Sequence, residues 1–280
     1  IGVGSFHFIK RQLLFLPVAY MLMGFLSMQN LKTIRRVAIL GYTVTILLMI
    51  ATLFWGEETK GASRWIHILG FSLQPSEFIK PCFAVVAAWL FDGQQKYRDF
   101  PGNILSTCLF AFTLILLLLQ PDVGMSIVVS VIWLFQFFLA GLSLLLVTVL
   151  GIVGIGLLVT AYFTFDHVHT RVQQFLDSEN NLSYQVRKSL EAFQSGSIFG
   201  RDSGQLADCG DRILDAFFYD AVAAEEFGLL LCLIIVGLYA AVVIRSMLIS
   251  MKDNNLFIIL SASALSASFG LQGIINMAST

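Results

Sequence analysis

Glu77 and Lys80 are two ionisable residues that lie three positions apart in an otherwise apolar stretch of the chain. At that spacing they share one face of a helix, so the carboxylate and the ammonium lie within reach of each other. Pro75 and Ser76 indicate that the helix begins just before them, with Ser76 capping the first free N–H groups. Such a pair is typical of a capped helix end with a local ion pair, and equally of a binding site that faces a polar cavity.

Two more charged residues lie in polar segments between apolar runs. Arg64 belongs to the segment 56–75, and Asp122 follows Pro121, where it is expected to cap the helix that begins after it. Charges of both signs at one membrane face predict a polar cavity. Cations there would suit a lipid-linked phosphate, and carboxylates could take a proton from a sugar hydroxyl.

The composition places the chain among membrane proteins. Apolar residues make up 57% of its 280 residues and charged residues 12%, whereas about 25% of the residues in a soluble protein are charged. The mean hydropathy is +0.82. The net charge of -1 predicts no nucleic-acid partner. The four cysteines show no spacing typical of a metal site, so no metal ligands are predicted.

Eight apolar runs, each near the length that a helix needs to cross a bilayer, predict an all-α integral membrane protein built as a multi-span helical bundle. The predicted spans are 12–30, 37–55, 76–91, 102–119, 123–140, 142–163, 220–247 and 255–278. Within the last span, Gln272 and Asn276 lie four residues apart on one face. Polar residues in this position are typical of hydrogen bonds between membrane helices.

The orientation follows from the connections between the spans. Basic residues cluster in alternate connections, which the positive-inside rule places in the cytoplasm. They are Lys32, Arg35, Arg36, Lys96, Arg98, Arg245 and Lys252. The segments 56–75 and 164–219, and the turn that contains Asp122, are then predicted to face the outside.

The polar motifs resemble, in order and spacing, those of the SEDS family (shape, elongation, division and sporulation), also known as the FtsW/RodA family. The matching motifs are GASRW with FSLQPSEFIK, LLQPDVG, RVQQFLD, YQVRKSLEAFQSG and AVAAEEFG. Of these, QPSEFIK paired with QPDVG is the most specific. KSLEAF and AAEEFG are more similar to the cell-division members than to the rod-shape members.

The resemblance implies a ten-helix fold in the bacterial cytoplasmic (inner) membrane, of which eight helices fall in this chain. Residues 1–280 would form one transmembrane domain, truncated at both ends, with 164–219 as its long outer loop. The implied activity is peptidoglycan glycosyl transfer during cell division, in which lipid II, an undecaprenyl-diphosphate-linked disaccharide, is polymerised into glycan strands. The implied partners are a class B penicillin-binding protein and other division proteins.

The resemblance also implies roles for the charged residues. Arg64, Glu77, Lys80 and Asp122 match their motifs without a gap and would bind the substrate or organise its cavity. No cofactor is firmly implied. A divalent cation, Mg²⁺ or Mn²⁺, is the alternative to cationic side chains for the charge that develops on the departing diphosphate.

The catalytic loop departs from the family pattern. Family members carry His-Thr-Asp, whose Asp is the implied catalytic carboxylate, but this chain reads LDAFFYDAVAAEEFG, two residues shorter and without that motif. Alignment from one side puts the catalytic position on Phe217, and alignment from the other side puts it on Tyr219. Asp215 and Asp220 flank both positions and are the candidate general bases.

Two other functions stay open at this point. A lipid II flippase would need the same polar cavity, because carrying the substrate across the membrane and reacting with it make similar demands on binding. A division scaffold without catalytic activity would fit the missing His-Thr-Asp.

The predicted orientation can be tested in intact cells with single cysteines, introduced after the four native cysteines have been replaced by serine. Ser195→Cys, in the outer loop, should react with a membrane-impermeant maleimide before lysis. Lys252→Cys should react only after lysis, because it lies in a predicted cytoplasmic connection. A mass-tagged reagent reports both on a gel, and labelling of the first position only after lysis would overturn the orientation.

Overall fold

Apolar runs in a membrane form helices because hydrocarbon offers no hydrogen-bond partner to the backbone. A computed structural model describes residues 6–55, 57–59, 62–68, 71–97, 99–120, 122–141, isolated positions between 145 and 163, and 219–279. The helices with defined bounds are α1 (Phe6–Ser27), α2 (Leu31–Trp55), α3 (Pro75–Lys96), α4 (Gly102–Leu119), α5 (Val123–Leu139), α6 (Tyr219–Ser250) and α7 (Leu256–Ser279). Each overlaps a predicted span, and the isolated positions between 145 and 163 are helical as well.

Four helical segments of the described chain are long and apolar enough to cross a membrane. They are Leu31–Phe54, Gly102–Leu119, Leu233–Ser250 and Leu256–Ile275. Large apolar side chains on these segments point away from the protein, for example Leu47 and Leu238, which are both 61% exposed. Such surfaces suit contact with lipid. The chain is therefore a multi-pass helical membrane protein, while the count of eight spans stays a prediction.

Helix α3 lies at the centre of the bundle, where α2, α4, α5 and α7 all pack against it. Small residues, including Ala84 and Ala88, let neighbouring helices approach closely, and both are fully buried. Aromatic residues fill the remaining space: Phe83 is fully buried, and Trp133 of α5 stacks on Phe110 of α4 with ring centroids 4.4 Å apart. Four helices thus enclose α3 on most of its faces.

Two buried glutamines join helices through backbone carbonyl groups. Gln136 of α5 donates to the carbonyl of Ala84 in α3 at 2.7 Å and to that of Leu260 in α7 at 3.4 Å. Gln120, after α4, donates to the carbonyl of Met49 in α2 at 3.0 Å. Polar contacts of this kind help to hold membrane helices together, because lipid is as apolar as the helix surfaces.

Small polar residues form the contact between α6 and α7. Ser250 and Ser263 share a hydrogen bond of 3.0 Å between their hydroxyl groups, and a second serine pair lies one turn further along. Gly273 faces the ring of Tyr239, where a Cβ atom would lie 3.1 Å from the ring. The close approach of the two helices depends on these small side chains.

The segment before α3 forms a small antiparallel sheet that the sequence analysis did not predict. Its strands are β1 (Glu57–Thr59), β2 (Ala62–Ile68) and β3 (Phe71–Leu73), in the order β1-β2-β3. Trp65 and the isoleucines of β2 favour a strand, and the strand pairing satisfies backbone groups that leave the bundle. The all-α prediction is therefore incomplete for this segment.

The basic connections meet at one end of the bundle. The guanidinium of Arg35, near the start of α2, lies 4.3 Å from the ring centroid of Phe257, near the start of α7. Lys96, which ends α3, lines a cleft of about 530 Å³ together with Asp253 of the α6–α7 turn. The N-terminal end of α3 consequently lies at the opposite end of the bundle, which is the predicted outer end.

The approach of α4 to α3 gives a stability prediction. A Cβ atom at Gly102 would overlap the carbonyl oxygen of Leu90 and lie 3.0 Å from the Cβ of Gln94. Gly102→Ala should therefore lower the free energy of unfolding by about 1–3 kcal/mol, a typical cost of overpacking. Thermal unfolding of the purified protein in detergent measures the change.

Gly124→Ala is the matched control, because a Cβ atom at Gly124 would meet nothing within 4 Å. It should leave the melting temperature unchanged or raise it slightly, since alanine favours a helix over glycine by up to about 1 kcal/mol. Equal melting temperatures for the two variants would contradict the close approach at Gly102.

Candidate functional site

The polar end of α3 is shaped by its first residues. Gln74 is the N-cap with an extended backbone, and Pro75 begins the helix as predicted. Ser76 was predicted to cap the helix, but this prediction is wrong: Ser76 lies inside the first turn, where its hydroxyl accepts a hydrogen bond of 3.0 Å from the amide of Gln74. Proline at the first helical position moves the boundary one residue earlier, because its fixed φ already suits the helix.

Glu77, Lys80 and Gln272 form a group of three mutually bonded side chains between α3 and α7. The ammonium of Lys80 donates to Oε2 of Glu77 at 2.7 Å, which confirms the predicted contact. It also donates to Oε1 of Gln272 in a short hydrogen bond. The amide nitrogen of Gln272 donates in turn to Oε2 of Glu77 at 3.2 Å.

Burial makes this group sensitive to the loss of a partner. The side chain of Lys80 is 3% exposed, whereas that of Glu77 is 38% exposed. An ammonium withdrawn from water is costly unless acceptors surround it, and here it has a carboxylate and an amide oxygen. Pro81 has no N–H, so the carbonyl of Glu77 receives no helical hydrogen bond from that position.

Asp122 caps α5, as predicted. Its carboxylate accepts a hydrogen bond of 3.3 Å from the backbone N–H of Met125, and Asp122 as a whole is 4% exposed. Its own backbone N–H donates to the carbonyl of Leu117 at 2.9 Å. Gln120, two positions earlier, fixes this turn to α2 through Met49. Asp122 is thus held at the same end of the bundle as Lys80.

The other predicted site residues are described less fully. Arg64 lies in β2, which contacts α2 and α3, but its side chain falls outside the described residues. Asp215 also falls outside them. Asp220 is the second residue of α6, and its side chain is not among those described. The structure therefore brings Glu77 and Lys80 together and places Asp122 and β2 at the same end, while a shared cleft stays a prediction.

The sequence predicted interhelical hydrogen bonds for Gln272, but not its contact with the ion pair. Its interhelical hydrogen bonds are confirmed, but the partners are two ionised side chains rather than the backbone or another amide. The available signal was the presence of amide side chains, Gln272 and Asn276, in an apolar helix. Among the described residues, no group of three or more His, Cys, Asp or Glu side chains is placed to hold a metal ion.

The unequal burial of the pair gives a prediction about stability. Glu77→Leu should lower the melting temperature more than Lys80→Met, because it leaves a buried ammonium without its carboxylate. Lys80→Met leaves a carboxylate that water can reach. We expect the free energies of unfolding of the two variants to differ by about 1–3 kcal/mol, as measured by thermal unfolding in detergent.

The ion pair between Asp92 and Lys96 is a matched control in which the burial is reversed. Nζ of Lys96 lies 2.8 Å from Oδ2 of Asp92. Here the carboxylate is 3% exposed and the ammonium 51% exposed. Lys96→Met should therefore lower the free energy of unfolding more than Asp92→Leu does. If removal of the carboxylate is the more harmful change in both pairs, burial does not decide the cost.

Comparison with known proteins identifies relatives along nearly the whole chain. The profile of the FtsW/RodA/SpoVE family, described as cell cycle proteins, matches residues 2–280. A probable peptidoglycan glycosyltransferase FtsW from Caulobacter vibrioides is 38% identical over 280 residues, which cover 99% of this chain and 72% of that protein. A protein of the same name from Trichlorobacter lovleyi is 29% identical, with 97% and 74% covered.

Solved structures share the fold. One chain of a peptidoglycan synthase complex matches with a TM-score of 0.74 and 23% identity, covering 96% of this chain and 78% of that one. The rod shape determining protein RodA of Thermus thermophilus matches with a TM-score of 0.64 and 22% identity, covering 96% and 74%. The resemblance inferred from the motifs is thereby confirmed, and the chain belongs to the FtsW/RodA/SpoVE family of cell cycle proteins.

Proposed function

We propose that this protein is a peptidoglycan glycosyltransferase that polymerises lipid II during cell division. The observation that carries the proposal is the buried ammonium of Lys80, held at the predicted outer end of the central helix in a chain of this family. Relatives named as probable peptidoglycan glycosyltransferases support the reaction class. The proposed location is the division septum of the bacterial inner membrane, beside a class B penicillin-binding protein and other division proteins.

The reaction joins two lipid-linked sugars. The 4-hydroxyl of the acceptor attacks C1 of the donor, a new C1–O bond forms, and the bond from C1 to the undecaprenyl diphosphate breaks with inversion. The hydroxyl proton passes to a carboxylate, and the electron pair of the broken bond leaves with the diphosphate. Two things are therefore required of the protein: a general base near the acceptor and positive charge near the diphosphate.

The described residues fit the second requirement. Lys80 is fixed by Glu77 and Gln272, so its charge is oriented before the substrate arrives. Such preorganised charge lowers a barrier more effectively than a mobile side chain does, because no reorganisation is needed during the reaction. We assign Lys80 and Arg64 to the diphosphate, and Glu77 and Asp122 to the organisation of the cavity.

The base is assigned to Asp215 or Asp220. Both flank the position at which family members carry the Asp of His-Thr-Asp. Asp220 is the second residue of α6, whose first turn lies at the predicted outer end. The general base and the cation of Lys80 would then come from different parts of the chain.

The proposal is tested by glycan formation from fluorescent lipid II, with the purified full-length protein and its partner penicillin-binding protein. Lys80→Met should reduce polymerisation by about 10²–10³-fold, the usual effect of losing one group that stabilises developing negative charge. Lys252→Met, an exposed lysine at the opposite end, should leave the rate unchanged. Equal rates for Lys80→Met and the unmodified protein would remove Lys80 from the site.

The same experiment separates the alternatives. Transport of lipid II across proteoliposomes without glycan would favour a flippase, and neither activity would favour a scaffold. Glycan formation that stops with EDTA and returns with Mg²⁺ or Mn²⁺ would assign part of the charge neutralisation to a divalent ion.

The general base gives a further prediction. Asp215→Asn or Asp220→Asn, whichever carries the base, should lower polymerisation by at least about a hundredfold with folding unchanged. If both variants stay active, the base lies elsewhere. If the unmodified protein makes no glycan but a variant with His-Thr-Asp restored does, the altered loop is the cause of the inactivity.

A further inference from the structure

We propose that Gln272 is a positioning residue that directs the ammonium of Lys80 towards the substrate diphosphate. The inference rests on the proposed function, but it concerns a residue on a different helix, 192 positions away in the chain. It follows from the way in which one neutral amide contacts both charges of the ion pair.

The amide of Gln272 has a single suitable orientation. Its oxygen accepts from the ammonium of Lys80, and its nitrogen donates to the carboxylate of Glu77. A flipped amide would place N–H donors against the ammonium and an oxygen against the carboxylate, which is unfavourable at both contacts. Because its two ends are held by opposite charges, Gln272 fixes the ammonium relative to α7 as well as α3.

The number of N–H donors on the ammonium limits how many hydrogen bonds it can give to a substrate. An ammonium carries three N–H donors. Among the described residues, Glu77 accepts one and Gln272 accepts another, and we assign the third to a phosphate oxygen of the substrate. Without Gln272, two donors would be free to rotate about the remaining bond to Glu77, and the direction of the charge would no longer be fixed.

The neutrality of Gln272 matters as much as its shape. Glu77 and Lys80 sum to zero charge, and an amide adds an acceptor without adding a negative charge. A carboxylate at the same position would also accept from Lys80, but it would repel a dianionic diphosphate at close range, and such repulsion is stronger where little water screens the charges. A residue that only connects two helices would not need to be uncharged.

Gln136 provides the comparison within the same molecule. It too connects α3 with α7, but through the backbone carbonyls of Ala84 and Leu260 and without contact to a charge. The two glutamines therefore share their residue type and the helices they join, and differ in their contact with Lys80.

The test measures three quantities for Gln272→Glu, Gln272→Leu and Gln136→Leu in the full-length protein with its partner. These are the melting temperature, the KM and kcat for fluorescent lipid II, and the Kd for undecaprenyl diphosphate in nanodiscs. Gln272→Glu should raise the KM and the Kd at least about tenfold while the melting temperature stays near that of the unmodified protein. Gln136→Leu should lower the melting temperature and leave KM and Kd unchanged.

Gln272→Leu supplies an independent readout through a double-mutant cycle with Lys80→Met. If Gln272 acts through Lys80, the effects of the two substitutions on the Kd and on the melting temperature should be non-additive, and the double variant should bind no more weakly than Lys80→Met alone. Additive effects, or a Gln272→Glu protein with unchanged KM and Kd, would overturn the positioning role.

The failures of the two proposals can be told apart. If the unmodified protein forms glycan but the Gln272 variants behave like Gln136→Leu, the reaction stands and the positioning role is wrong. If the unmodified protein neither forms glycan nor binds undecaprenyl diphosphate, the proposed function fails, and the positioning role fails with it.

Discussion

The bundle depends on a buried positive charge in its central helix. Lys80 is 3% exposed and lies on α3, the helix around which four others pack. An ammonium at such a position must be surrounded by acceptors, because the cost of withdrawing it from water is large. Its acceptors come from its own helix and from α7, so the ammonium keeps its acceptors only while these two helices stay packed together.

Other contacts between the helices follow the same physical rule. Lipid is as apolar as a leucine side chain, so apolar burial alone gives membrane helices little reason to associate. Gln136 and Gln120 donate to backbone carbonyls of neighbouring helices, and Ser250 pairs with Ser263 across the α6–α7 contact. Each interaction links neighbouring helices of the bundle, because a polar group of one helix finds its partner on another.

The proposed reaction divides its requirements between two kinds of structure. The positive charge that we assign to the diphosphate, that of Lys80, lies on a helix, where Glu77 and Gln272 restrain it. The general base is assigned to the stretch around Asp215 and Asp220, next to the start of α6. The departure from His-Thr-Asp affects only the general base.

The sequence by itself determined the membrane class, the positions of the helices and the family. Apolar runs near 20 residues long leave the backbone few options in lipid, so all seven helices with defined bounds overlap predicted spans. Short-range chemistry was equally readable: Glu77 meets Lys80 because residues three apart share a helix face, and Asp122 caps α5 because it precedes the first helical residue.

Tertiary structure decided which polar residues meet. Sequence spacing carries information over a few residues, whereas Gln272 reaches Lys80 across 192 positions, and only the packing of α7 against α3 brings them together. The sheet of β1, β2 and β3 was missed because each strand is too short for a clear pattern and is stabilised by its neighbours. Ser76 was misassigned as a cap because Pro75 had already begun the helix, a choice of one residue that depends on backbone geometry rather than on residue type.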